Sequence, residues 1–383
     1  MELRAEELVE EARRETGLAD FGGESFREGL GIFVDSLNRE ARLTPAGGAM
    51  ARGQIVKLLG NRLQIQDWYR RHPEIGAEEV PAPIFVLGLP RTGTTALSSL
   101  LARDPDTRSI RTWESGSPCP PPEKASEDSD PRIAKCEASM ALLDRVLPEM
   151  RMLYDASPTG PAECQDLLGM DFKAQHVTGQ FWVPAFARWQ RDCDMRSAYQ
   201  MHRKTLKLLQ WRCPPNRWHL KTPVHMLSLD ALEESYPDAR FVMTHRDPSK
   251  VLGSVCSLIA KLRTLTSEQR DPQALGEEQL ELWVEALARG IRFREKLGED
   301  RFADVHFRDQ LVDPIAAVAR AYRDLGISFT PAARARMQEW ADAHRRGRLG
   351  VHEYRLEDYG LTAERVRERF AFYTARFEVE LES

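Results

Sequence analysis

Apolar residues recur at helical spacing through the amino-terminal part of the chain. Leu8 and Ala12, then Ile55, Leu58, Leu59, Leu63 and Ile65, alternate with charged positions, so a helical extension is expected over residues 1–80. The pattern changes at Pro81-Ala82-Pro83, where a short apolar run, Ile84-Phe85-Val86-Leu87, is bounded by proline and glycine and suits a buried strand. Beyond a Gly/Thr-rich turn, Ala96, Leu97, Leu100 and Leu101 mark one face of a helix that should stop near Asp104-Pro105. The same order returns later. Phe241–Thr244 reads as a strand, Asp247-Pro248 as N-cap and first helical residue, and Val251, Leu252, Val255, Leu258 and Ile259 as a helical stripe. Trp218-His219-Leu220 and Val305-His306-Phe307 are weaker strand candidates. Strands alternating with helices predict an α/β fold built on a parallel sheet.

Within residues 81–383, a helical insert is expected over 115–210, opening with the proline-rich loop Ser117–Pro131. Its large apolar residues, Met170, Phe172, Phe181, Trp182, Phe186 and Trp189, form either core or an apolar wall for a substrate. From Asp313-Pro314 onward the chain is again helical, interrupted by a basic loop at Arg345–Gly350.

Composition narrows the function. The chain has 383 residues, 42% hydrophobic and 30% charged, which is ample for a packed core. Its formal net charge of −5 gives no electrostatic reason to expect nucleic acid or a polybasic membrane contact, so any anion must be held by local basic residues. Met1–Glu7 is charged and lacks the apolar core of a signal peptide. The apolar stretches Ile84–Leu89 and Val251–Ala260 are too short to span a bilayer, and a cytoplasmic protein without a transmembrane segment is expected. Six scattered cysteines form no CxxC pair and no histidine cluster has metal spacing, so reduced thiols and no metal site are expected.

The chemistry is carried by Gly88-x-x-x-x-Gly93-Thr94-Thr95. A strand precedes it and a helix follows, so backbone N–H groups and a helix start supply positive dipoles for a phosphate-like anion. Against the nucleotide-hydrolase loop G-x-x-x-x-G-K-[ST], the Lys position holds Thr94, and the basic residue is Arg91 within the loop. The second strand ends in His245-Arg246 rather than in a magnesium-binding acid. These residues suit a nucleotide held without metal.

The loop Pro90-Arg91-Thr92-Gly93-Thr94-Thr95 resembles that of the sulfotransferase superfamily, in particular its bacterial branch with a Pro-Arg-[Ser/Thr]-Gly-Thr-Thr sequence. The resemblance implies a parallel sheet with nucleotide-kinase-like architecture, and 3′-phosphoadenosine 5′-phosphosulfate (PAPS) as sulfuryl donor. Arg91, Thr92, Gly93, Thr94 and Thr95 would bind its 5′-phosphosulfate end. Arg246 and, eight residues on, Ser254 match the family's readers of the 3′-phosphate. Phe307-Arg308-Asp309-Gln310-Leu311-Val312-Asp313-Pro314 resembles a family segment whose Tyr lies near the nucleotide; Phe307 leaves only ring packing there. Arg345-Arg346-Gly347-Arg348-Leu349-Gly350 resembles the loop that closes over the 3′-phosphate. The recognisable pieces span about residues 84–114, 217–258, 304–314 and 345–360.

The implied reaction moves a sulfuryl group to an acceptor hydroxyl. Arg91 would stabilise the leaving phosphate, with Lys221 as a second cation. Where other members carry a base His shortly after that Lys, this chain has Pro223; His225 lies two residues further. The alternative base is Glu114, 23 residues after Arg91, with Glu163 and Asp166 as rivals that carry no motif. A lipid, glycan, sterol or small aromatic alcohol would all fit as acceptor, and a homo-oligomer stays open. The competing functions are an ATP-dependent kinase-like enzyme and a non-catalytic nucleotide-binding scaffold.

Overall fold

Among the residues described by the computed structural model, 2–146, 157–344 and 354–382, five strands form one sheet. They are Ile84–Gly88 (β1), Thr107–Arg108 (β2), Arg217–Lys221 (β3), Arg240–His245 (β4) and Phe302–His306 (β5). Their order is β2-β3-β1-β4-β5 and every pair is parallel. The expected fold class, a parallel α/β sheet flanked by helices, is the one observed.

Every residue of β1 is buried, as a central strand covered on both faces requires. Side chains alternate between two cores. Phe85 and Leu87 point with Leu220, Phe241 and Met243 into one; Ile84 and Val86 point with Val242, Ala303 and Val305 into the other, against Leu97, Leu100, Ile315 and Val318.

The larger core continues into the amino-terminal helices Ala5–Thr16 (α1), Phe26–Arg39 (α2) and Pro45–Arg71 (α3). Leu8, Ala12, Phe33, Ile55, Leu59 and Leu63 share it with Met170, Phe172, Phe181 and Phe186 of the 115–210 region. Those four insert residues are therefore core, while Trp182 and Trp189 are partly exposed. A buried ion pair fastens the two regions. Arg62 of α3 donates to Asp171 Oδ1 at 2.8 Å, to Phe21 O at 3.0 Å and to Met170 O at 3.2 Å. Ser197 and Lys173 approach the other Asp171 oxygen at 2.6 and 3.4 Å.

Two boundaries differ from the sequence reading. The last strand ends at His306, and Phe307 opens a short helix, Phe307–Val312, instead of closing the strand. The edge strand β2 was not anticipated; at two residues it carries no periodicity to read.

Candidate active site

Because the sheet is parallel, the carboxyl ends of β1, β3 and β4 open on one edge. The chain leaves β1 toward β2 and β3 on one side, then returns to build β4 and β5 on the other. That reversal beside β1 leaves a crevice of the kind in which open α/β sheets bind ligands. The loop after β1 lies there. Gly88 is paired with Thr244 and has φ of +120°, and a Cβ on it would fall 2.4 Å from Thr244 Oγ1, so only glycine lets the strands close. Thr92 is fully buried; its hydroxyl donates to Leu89 O at 2.6 Å and lies 2.6 Å from Thr244 Oγ1, pinning the loop to β4. Gly93, at φ +88°, turns the chain into the helix Thr94–Leu101 (α4), whose first residues are Thr94 and Thr95. Gln310 from the Phe307–Val312 helix backs this turn, donating to Thr92 O at 3.4 Å.

Arg91 sits at the apex with φ of +64°, a conformation a non-glycine residue adopts at a cost of about 1–3 kcal/mol and one that concentrates at ligand sites. Its Nε donates to Ser254 Oγ at 3.1 Å, and its carbonyl accepts from Arg246 Nη1 at 3.0 Å. The loop thus meets the Arg246/Ser254 pair directly. Arg246 leaves the end of β4, and Ser254 lies in the helix Pro248–Thr266, capped by Asp247, whose side chain accepts from Ser249 N at 2.9 Å. The Phe307 ring lies 3.9 Å from the Arg246 guanidinium carbon, so packing replaces what a phenol would do. Burial and the neighbouring Arg246 charge both push the Arg91 pKa down. Two adjacent guanidiniums at a strand edge make a ready anion site.

At the end of β3, Lys221 is buried and donates to Glu163 Oε1 at 2.8 Å; Thr222 Oγ1 donates to Glu163 Oε2 at 2.9 Å. Glu163 keeps 27% of its side chain exposed, so this carboxylate opens to the outside. Asp166 lies nearby, accepting from Ser115 Oγ at 2.5 Å.

The two bases favoured by sequence are placed differently. Glu114, in the short helix Thr112–Gly116 (α5), has no exposed surface; it takes the Arg108 guanidinium on Oε1 and the Arg111 N–H on Oε2 at 3.0 Å. Oε2 holds the N–H at the start of its own helix while Oε1 pairs with Arg108 of β2, so both oxygens of the expected general base are already engaged. His225 is buried under the sheet, 2.8 Å from Tyr199 OH through Nδ1 and edge-on to Phe85 at 5.1 Å. The turn at Pro223–Leu227 carries it away from the edge where Lys221 ends. Neither meets the loop. Arg345, Arg346 and Gly347 lie outside the described residues.

Burial pushes the imidazoles of His202 and His219 down to about 3 and that of His225 well below its ordinary value. The unfolded chain therefore binds protons below about pH 6.5 that the fold refuses, and stability falls as pH falls. The unfolding free energy should drop by up to about 1.4 kcal/mol per pH unit for each imidazole below that point. Urea midpoints at pH 7.5 and 5.5 test it; equal midpoints would mean that these rings charge within the fold.

Glu382 has no sequence signal, and Gln310 and Tyr354 carry none of their own within the segments recognisable in sequence. Tyr354 packs over Gly253, where a Cβ would fall 2.4 Å from its ring, and donates to Lys250 O at 2.7 Å. Glu382 accepts from Arg246 Nε at 2.7 Å and from Nη2 at 3.0 Å. Among the described residues no cluster of three or more His, Cys, Asp or Glu is arranged to hold a metal. No helix among them is long and apolar enough to cross a membrane.

Comparison with known proteins shows the family and the fold. A model described as the Sulfotransferase family matches residues 83–331. The solved sulfotransferase STF9 from Mycobacterium avium superposes with a TM-score of 0.89 at 32% identity, covering 99% of this chain and 98% of that one. Sulfotransferase STF1 from Mycobacterium tuberculosis H37Rv gives 0.83 at 32% identity, covering 97% and 99%. The omega-hydroxy-beta-dihydromenaquinone-9 sulfotransferase Stf3 of Mycobacterium bovis is 23% identical over 303 residues, 74% of this chain and 70% of the relative.

Proposed function

Because the chain belongs to the sulfotransferase family, we propose that it moves the sulfuryl group of PAPS to a hydroxyl of an acceptor, in the cytoplasm and without a metal. The observation that carries this reading is the junction of the two anion-binding halves: Arg91 Nε on Ser254 Oγ at 3.1 Å and Arg246 Nη1 on Arg91 O at 3.0 Å. A nucleotide with phosphates at both ends of its ribose needs two such halves side by side.

PAPS supplies the sulfuryl group and a phosphate leaving group. The loop N–H groups of Thr92, Gly93, Thr94 and Thr95 would hold the 5′ end, and Arg246 with Ser254 the 3′-phosphate, over the face of Phe307. Arg91 and Lys221 would neutralise charge on the departing phosphate. Glu163, held against Lys221 and half open to the outside, replaces Glu114 and His225 as the group that takes the acceptor proton. The name of the Mycobacterium bovis relative puts its acceptor among hydroxylated quinones, which keeps an apolar alcohol among the acceptors to test here.

Adenosine 3′,5′-bisphosphate, the expected product, should raise the melting temperature without magnesium, by mass action on the folded state. ATP with magnesium should do much less, since Thr94 stands where a kinase-like loop keeps its Lys. The reverse ranking in a thermal-shift assay would favour the kinase-like reading.

A further inference from the structure

Glu382 makes a two-pronged contact with Arg246, its Oε1 facing Nε at 2.7 Å and its Oε2 facing Nη2 at 3.0 Å. This is the fork geometry in which a guanidinium receives a carboxylate or a phosphate, and two such anions cannot share one fork. We propose that the Glu382 carboxylate is an intramolecular stand-in for the nucleotide's 3′-phosphate, an autoinhibitory contact that must be released for the donor to bind. The inference rests on the assignment of Arg246 to that phosphate.

The contact is built into the fold. Glu382 N donates to Asp247 Oδ2 at 2.8 Å, and Arg367 Nη2 reaches both Asp247 Oδ2, at 2.8 Å, and Glu382 O, at 2.7 Å. Asp247 is also the cap of the Pro248–Thr266 helix, so the tail is tied to the element that presents Ser254. Further back, Phe377 and Val379 are buried, while Arg308 pairs with Glu380 on the surface. The segment is anchored through the Glu382 backbone and through the residues before it, and the two-pronged contact is made by the Glu382 side chain alone.

The charges explain why such a contact is useful. Burial first, and then the nearby Arg246 charge, disfavours the charged form of Arg91, and Tyr354 and Asp247 are other titratable groups close by. Glu382 offsets one of the two positive charges when no ligand is there. A phosphate, with more charge and more acceptor oxygens than a carboxylate, displaces it; a nucleotide lacking the 3′-phosphate has nothing to offer the fork. The strap therefore adds selectivity as well as restraint.

The test uses the full chain and measures the dissociation constants of adenosine 3′,5′-bisphosphate and of AMP by calorimetry. If the strap closes the fork about nine-tenths of the time, Glu382→Gln and Glu382→Ala should each tighten the bisphosphate about tenfold, because apparent affinity scales with the competent fraction. AMP affinity should change less than about twofold, as the competition acts only at the 3′ position. In an Arg246→Ala background, Glu382→Ala should have no effect on the bisphosphate. Unchanged or weaker bisphosphate binding by the Glu382 variants, in a wild-type protein that prefers the bisphosphate to AMP, overturns the strap and leaves the donor assignment standing. A wild-type protein with no preference between the two nucleotides overturns both.

Discussion

Glu163→Gln should leave adenosine 3′,5′-bisphosphate affinity within about twofold of wild type while turnover falls by roughly 10²–10⁴-fold, the usual worth of a positioned base. The substitution keeps the size of the side chain and one oxygen to accept from Lys221, now at 2.8 Å, and its amide can donate to Thr222 Oγ1, now at 2.9 Å, but it removes the charge and the proton acceptor. The loss should lie in kcat, with little change in the acceptor KM. Glu114→Gln is the contrasting variant. It removes the charge that offsets the largely covered Arg108, so it should lower the melting temperature and spare the turnover of the folded enzyme. A folded Glu163→Gln protein that turns over at wild-type rate would return the proton acceptor to another group.

Asp171→Ala should destabilise the protein by about 3–5 kcal/mol, the range for removing one member of a buried ion pair. Arg62 and Asp171 have 5% and 0% of their side chains exposed, and Lys173 stands 3.4 Å from the same carboxylate. Truncating Asp171 strands two buried cations at once. The pair also joins α3 to the middle of the helical insert, so unfolding should stay a single transition in which both regions are lost together. A chemical-denaturation midpoint that implies less than about 1 kcal/mol would show that water reaches Arg62 freely. Replacing Arg62 and Asp171 together by Met and Leu should cost less than Asp171→Ala alone, since only Lys173 and no longer Arg62 is then left without the carboxylate.

Sequence patterns exposed the parts of the site whose chemistry is local. The run Ile84–Leu87 between proline and glycine is β1, and Asp247-Pro248 caps the helix that carries Ser254. Arg246 and Ser254 were readable because strand, turn and helix fix their spacing. What sequence hid is what depends on distant contacts. Glu163 has no motif because its place is set by Lys221, 58 residues later, and Glu382 meets Arg246 across 136 residues. Glu114 and His225, the bases suggested by sequence spacing, have partners that spacing does not show: the Arg108 guanidinium and the Arg111 N–H for Glu114, and the Tyr199 hydroxyl for His225.

The pairing of β1 sets how this protein must be made. Ile84 is in register with His219 on one side and Arg240 on the other, so both neighbours of the central strand are synthesised long after it. On a ribosome adding roughly 5–20 residues per second, β1 waits on the order of ten seconds before either partner exists. During that interval Ile84–Leu87 is an apolar edge open on both sides, the kind of segment that pairs with other chains. Recovery of active enzyme from overexpression should therefore depend on temperature and on chaperone supply more steeply than the stability of the finished fold would suggest, and substitutions that hasten docking of β3 or β4 would raise yield without touching the site.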